Sequence, residues 1–228
     1  KVGFTGETTT GQLIMQYATE NIIPSTLELG GKSPNVFFES IMDADDEFFD
    51  KAIEGLVLFA FNSGEVCTCP SRALIQESIY EPFMARVLER VKAIKLGNPL
   101  DTENMMGAQC SLNQKEKIME YMKIGKEEGA ELLTGGGARQ EVGEGFYIEP
   151  TVFKGHNEMQ IFQEEIFGPV LPIIGYSDID TVIADINANP KPLALYVWSY
   201  NDDVVQKVVT RTSSGGVCIN HCLMQFVH

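Results

Sequence analysis

From Asp45 to Asn62 the apolar residues Phe48, Phe49, Ala52, Ile53, Leu56, Val57 and Ala60 recur every third or fourth position. That is the period of one buried helix face. Similar rhythms predict helices at Gln12–Asn21, Tyr80–Ile94 and Leu112–Glu128. Gly97-Asn98-Pro99 stops the second of these and Gly129 the third. Two more helices follow, one carried by Ile179, Val182, Ile183 and Ile186, the other spanning Asp203–Thr210. Short apolar runs between them predict strands at Thr26–Leu29, Pro34–Glu39, Arg72–Gln76, Glu131–Thr134, Ile148–Phe153, Val170–Tyr176, Leu193–Ser199 and Gly216–Ile219. Gly135-Gly136-Gly137 is a turn or loop. Strands alternating with helices make this an α/β chain with a largely parallel sheet flanked by helices.

Composition narrows the picture only a little. The chain has 228 residues, 44% hydrophobic and 21% charged, enough for a sizeable core. Its net charge of −15 argues against nucleic acid and anionic membrane as partners. No apolar run is long enough for a membrane span, and no signal sequence is visible, so a cytoplasmic location is expected. Five cysteines form no disulfide framework, which fits a reducing compartment.

Candidate chemistry starts with Cys67, which lies 39 residues after Glu28. A thiol on a small-residue turn and a carboxylate beside Gly30-Gly31 supply a nucleophile and a base for acyl transfer. Both residue types are common, so the pair alone is a weak signal. Gly6 and Gly11 frame a turn into the first helix, whose free amides would favour a phosphate. Glu7 in that turn would repel one, leaving Thr8, Thr9 and Thr10 as donors. Lys32 is a substrate or cofactor contact or equally a solvated turn lysine, and Asn35 a turn former. His156, His221 and His228 show no metal spacing. Cys218 and His221 would face opposite ways on a continuing strand, so no metal site is expected.

Four segments occur in order: Phe4-Thr5-Gly6-Glu7-Thr8-Thr9-Thr10-Gly11, Leu27-Glu28-Leu29-Gly30-Gly31-Lys32, Gly64-Glu65-Val66-Cys67-Thr68-Cys69-Pro70-Ser71-Arg72 and Glu164-Glu165-Ile166-Phe167-Gly168-Pro169. Together they resemble the aldehyde dehydrogenase superfamily. The resemblance implies residues 1–31 as the end of a Rossmann-like nucleotide-binding domain and 32–228 as the catalytic domain. It implies Cys67 as nucleophile, its backbone N–H helping to hold an oxyanion, with Cys69 a packing neighbour or oxidation partner. Glu28 becomes the base, which needs partial burial to raise its pKa. Gly6, Glu7, Gly11, Leu29, Glu165 and Phe167 would face NAD or NADP, with the Glu165 carboxylate on a ribose diol.

The implied reaction oxidises a small-molecule aldehyde to a carboxylic acid through a thiohemiacetal and a thioester. Family members extend well beyond this length, so the chain looks like part of such an enzyme, a homodimer or homotetramer when whole. A truncated, catalytically inactive domain of the same family, serving as a folded or subunit-interaction module, is the alternative. Pro192–Tyr196 and Thr212–Val217 resemble the dimeric aromatic and fatty aldehyde branch, and residues up to about 165 a bacterial branch acting on small aliphatic aldehydes.

Overall fold

The computed structural model describes residues 1–222. Val2, Phe4, Ser25 and Leu27 are half-buried while their neighbours along the chain are exposed, the period of a strand with one covered face. They form β1 (Val2–Thr5) and β2 (Ser25–Glu28), paired in parallel and joined by α1 (Thr8–Glu20). This small βαβ unit ends in the four-residue strap Leu29–Lys32. The strap leads into a separate sheet.

That sheet receives β3 (Ser33–Phe37), α2 (Glu47–Val57), β4 (Pro70–Gln76), α3 (Tyr80–Lys92), α4 (Leu112–Glu127), β5 (Glu131–Thr134) and β6 (Thr151–Lys154). The short α5 (Gln160–Gln163), β7 (Val170–Tyr176), α6 (Ile179–Asn187), β8 (Ala194–Trp198), α7 (Asp202–Arg211) and β9 (Gly216–Ile219) complete it. Its seven strands run in the order β5-β6-β7-β4-β3-β8-β9. All pairs are parallel except the antiparallel β5–β6.

Every residue of β3 and β8 is buried, because helices cover both faces of the central sheet. Phe37, Ala73, Ile75, Ile173 and Trp198 pack against α2 and α3 on one side. Val36, Leu74, Ile174 and Val197 pack against α4, α6 and α7 on the other.

Several expectations shift. The helix expected over Asp45–Asn62 starts after its Asp46 cap, whose carboxylate accepts from the amides of Phe48 and Phe49. It ends at Val57 and continues as a tight 3-10 turn that breaks at Phe61 (ψ 137°) before Gly64. There Asn62 and Ser63 adopt left-handed φ values of 49° and 60°. The apolar rhythm outlasts the α-helix because the 3-10 turn still buries Phe59 and Ala60. The first helix begins at Thr8, four residues earlier than expected. β1 and α5 were not expected, each having four residues. Asn35 is no turn former: it is buried in β3, where its Nδ2 donates to Gly55 O (3.1 Å) and its Oδ1 accepts from Trp198 Nε1 (2.9 Å).

Candidate active site

Three neighbouring parallel strands, β3, β4 and β7, all begin at the same edge of the large sheet. The connections leading into them carry Gly30-Gly31-Lys32, Cys67 and Glu165-Ile166-Phe167. Facing them are the residues just past β1 (Gly6, Glu7) and at the end of β2 (Glu28, Leu29). Between the two sets lies a cavity of about 480 Å³. Its walls include Cys67, Glu28, Gly6, Glu7, Leu29, Glu165 and Phe167.

The Cys67 turn is held from several sides. Glu65 N donates to Asn62 O (3.1 Å) and Cys69 N to Val66 O (3.0 Å). Gly64 has φ 73°, and a Cβ there would collide with the backbone of Gly168. Ser63 Oγ donates to Gly107 O (3.1 Å), Gln109 Nε2 to Ser63 O (3.2 Å) and Cys110 N to Glu65 Oε1 (3.0 Å). Tyr196 OH donates to Thr68 O at 2.6 Å.

Half-buried Cys67 faces the cavity, whereas Cys69 is buried and its thiol points to Phe59 O (3.5 Å). Burial pushes the Cys69 thiol up to about 12. Cys69 is thus a packing neighbour, and both thiols are free.

Glu165 is half-buried, one carboxylate oxygen accepting from Gly31 N at 3.3 Å. Burial pushes its carboxyl above the usual range, partly offset by that amide. Gly30 lies so close that a Cβ would collide with the other oxygen. Phe167 has a left-handed φ of 58°, uncommon for an aromatic residue, and its carbonyl accepts from Gln114 Nε2 (2.6 Å). These groups suit a nicotinamide riboside: a free carboxylate oxygen for a diol and an aromatic wall.

The phosphate end fits less well. Exposed Glu7 folds back and caps α1, accepting from Thr10 N (3.2 Å) and Thr9 Oγ1 (2.9 Å). Hydrogen bonds from Thr9 and Thr10 hold its carboxyl below the usual range. The expected free amides are therefore occupied in part by the chain's own carboxylate. Gly11 does not reach the cavity. It is buried within α1, where a Cβ would collide with Leu29, so its observed work is close helix–strand packing.

The expected burial of Glu28 is also absent, since Leu27 and Leu29 are half-buried but Glu28 is exposed on the cavity wall. Strand alternation explains this: Glu28 points opposite to Leu27. Lys32 departs from the turn expectation, being 1% exposed.

The cavity is also lined by Thr5, Glu65, Val66, Gln114 and Lys117, for which the sequence predicted no role. The available signal was the spacing of Gln114 and Lys117, which puts both on one face of α4. Among the described residues no group of three or more acidic, histidine or cysteine side chains could hold a metal. His228 lies outside the described residues.

The sequence model of the aldehyde dehydrogenase family matches residues 1–227. A long-chain-aldehyde dehydrogenase from Acinetobacter sp is 60% identical over 220 residues, 96% of this chain and 44% of that protein. Aldehyde dehydrogenase B of Escherichia coli is 55% identical over 223 residues, again 96% of this chain and 44% of that protein. Among solved structures, an NAD+ complex of a Bacillus cereus aldehyde dehydrogenase superposes with a TM-score of 0.91 at 36% identity. That superposition covers 99% of this chain and 45% of the other. The chain thus spans less than half the length of these relatives, but nearly all of it is matched, and it belongs to the aldehyde dehydrogenase family.

Proposed function

We propose that the protein to which this chain belongs oxidises an aldehyde to a carboxylic acid with NAD+ or NADP+. The carrying observation is that Cys67, Glu28 and Glu165 share one cavity of about 480 Å³. In this reading the Cys67 thiolate attacks the aldehyde carbon to give a thiohemiacetal, its backbone N–H helping to hold the oxyanion. Glu165 and Phe167 hold the nicotinamide riboside of the cofactor, with Gly6, Glu7 and Leu29 beside it. Bound there, the cofactor supplies the hydride acceptor. The resulting Cys67 thioester is hydrolysed by a water from which Glu28 draws a proton.

Residues 1–31 read as the end of the cofactor-binding domain, and 32–228 as the catalytic domain. The separate two-stranded and seven-stranded sheets support this division. No helix of the described residues is long and apolar enough to cross a membrane. A cytoplasmic homodimer or homotetramer is the assembly we assign to the whole protein.

The test is reduction of NAD+ or NADP+, followed by absorbance, on adding short- and long-chain aldehydes. Cys67→Ala is expected to abolish it. Glu28→Gln is expected to leave one burst of reduced cofactor per site and then stop. Undiminished turnover by Cys67→Ala would refute the assignment. A second reading is an inactive interaction module, favoured by the exposure of Glu28 and of Leu13, Met15 and Tyr17 on α1. Turnover by the purified chain would dispose of it.

A further inference from the structure

Cys67 sits in a turn whose hydrogen bonds run in series. Cys69 N donates to Val66 O (3.0 Å), closing a four-residue turn with Cys67 at its second position. At the other end of the Thr68–Cys69 peptide, Thr68 O accepts from Tyr196 OH at 2.6 Å. A trans peptide is planar, with its C=O and N–H pointing opposite ways. The bonds therefore form one line, from the Tyr196 hydroxyl through the Thr68–Cys69 peptide to the Val66–Cys67 peptide. Last in that line is the N–H of Cys67 itself. Among the described residues it donates to no protein group.

Tyr196 stands on β8, two strands from β4 in the order β4-β3-β8. Neighbouring strands lie about 4.8 Å apart, so only a long side chain passes β3 to reach the turn before β4. Its ring is 1% exposed and belongs to the same core cluster as Cys69. Burial pushes the hydroxyl above its usual range, which keeps it protonated, and a donor, well past neutral pH. Phenylalanine would fill the same space, so packing accounts for the ring but not for the hydroxyl.

We propose that Tyr196 is a positioning residue for the Cys67 nucleophile. Its hydroxyl, acting through the two peptides, orients and polarises the Cys67 N–H toward the oxyanion that forms on attack. Hydrogen bonds in series strengthen one another, by about 10–30% per bond. A donor already aimed where charge develops lowers the barrier without reorganising during the reaction. The inference rests on the reading that Cys67 attacks a carbonyl carbon. It involves no cofactor.

A probe that needs no cofactor tests both. p-Nitrophenyl acetate is mixed with the whole chain, and release of p-nitrophenolate is followed by absorbance. Attack by the Cys67 thiolate forms the C–S bond and a tetrahedral oxyanion. The C–O bond then breaks, p-nitrophenolate leaves with its electron pair, and an acetyl thioester remains on Cys67. Peptide mass spectrometry locates the acetyl group. Iodoacetamide is the control, because displacing iodide from carbon builds no oxyanion and needs the thiolate alone.

In Tyr196→Phe, acetylation of Cys67 is expected to slow about tenfold, the scale of one lost hydrogen bond. Alkylation of Cys67 by iodoacetamide should stay within about twofold of the parent rate. The urea midpoint and the Trp198 fluorescence report whether the core is kept. A second protein carries 3-fluorotyrosine at position 196 alone, which keeps the hydroxyl and makes it a stronger donor. It should be acetylated at least as fast as the parent.

Equal acetylation of the parent and Tyr196→Phe overturns the inference. So does a parallel fall in acetylation and alkylation, which marks a turn loosened as a whole. A fluorotyrosine protein as slow as Tyr196→Phe overturns it too. A parent chain that takes no acetyl group on Cys67 refutes the proposed reaction itself, and the inference with it, before any variant is compared.

Discussion

The thiol of Cys69, packed beneath Phe59 and pushed up to about 12 by burial, carries almost no thiolate at neutral pH. Cys222 is likewise buried, and burial raises its thiol too. Cys67 is half-exposed on the cavity wall and Cys110 is exposed. Brief treatment with iodoacetamide near pH 8 is therefore expected to label Cys67 and Cys110 and to spare Cys69 and Cys222. Peptide mass spectrometry reads this directly, and early label on Cys69 would contradict the burial argument.

Lys32 gives a second test at the same scale. Its amine, about 7 when folded against an ordinary 10.5, binds fewer protons in the folded than in the unfolded chain between those values. Stability from this group therefore rises with pH across that window and is lower below it. The urea midpoint of the parent chain should gain more between about pH 7 and about pH 10 than that of Lys32→Met. Equal gains in both proteins would contradict the burial of an unpaired amine.

That Cys67, Glu28, Glu165 and Phe167 line one cavity was open to anticipation, because motif order is a property of the string. What their neighbours do is not. Glu7 capping its own helix, Asn35 bridging Gly55 to Trp198 and Lys32 vanishing from solvent all depend on partners distant in sequence.

Helix α2 shows how far periodicity carries at the scale of an element. Its buried face was visible, since packing against the sheet needs that face whatever the exact backbone. Its end was not visible, because the 3-10 turn keeps burying apolar residues while tightening the chain toward Cys67. Two substitutions probe the helix. Asp46→Ala removes the cap that accepts from two amides and should cost about 1 kcal/mol, measured by chemical denaturation.

Gly55 is the more demanding position, because a Cβ there would collide with the indole of Trp198, the chain's one tryptophan. Gly55→Ala should overpack the core by about 1–3 kcal/mol and shift the tryptophan fluorescence. Unchanged emission with unchanged stability would show that the indole can move aside. β5 and β6 illustrate the converse limit. Their runs were legible as strands, but nothing in an isolated run distinguishes their antiparallel pairing from the parallel pairs beside them.

For the whole molecule, the sheet order places the connections into β3, β4 and β7 side by side, and the small βαβ unit faces them. Alternation of strands and helices announced an α/β chain with a largely parallel sheet, as observed. The strand order was not announced, since it is fixed by which helix covers which face. Gly30 lies on the strap between the two sheets, where a Cβ would drive the Glu165 carboxylate from its place. Gly30→Ala is expected to leave far-UV circular dichroism intact while lowering NAD(P) affinity about tenfold, read by calorimetry. Unaltered affinity would separate Glu165 from cofactor binding.

The strap has a kinetic consequence. Closing the chain between β2 and β3 spans only four residues, so Glu28 and the β3 edge meet at small entropic cost. Cys67 joins them from 39 residues away, and the Gly31–Glu165 hydrogen bond spans 134. The longer closures are slower, so during refolding the cavity fills from its short side first. Glu165 arrives once β7 has docked on β4. A chain that has formed its helices but not yet its central sheet would hold Glu28 beside an open edge, with Cys69 still unburied and reactive. Protection of Cys69 from a thiol reagent is then a clock for completion of the site.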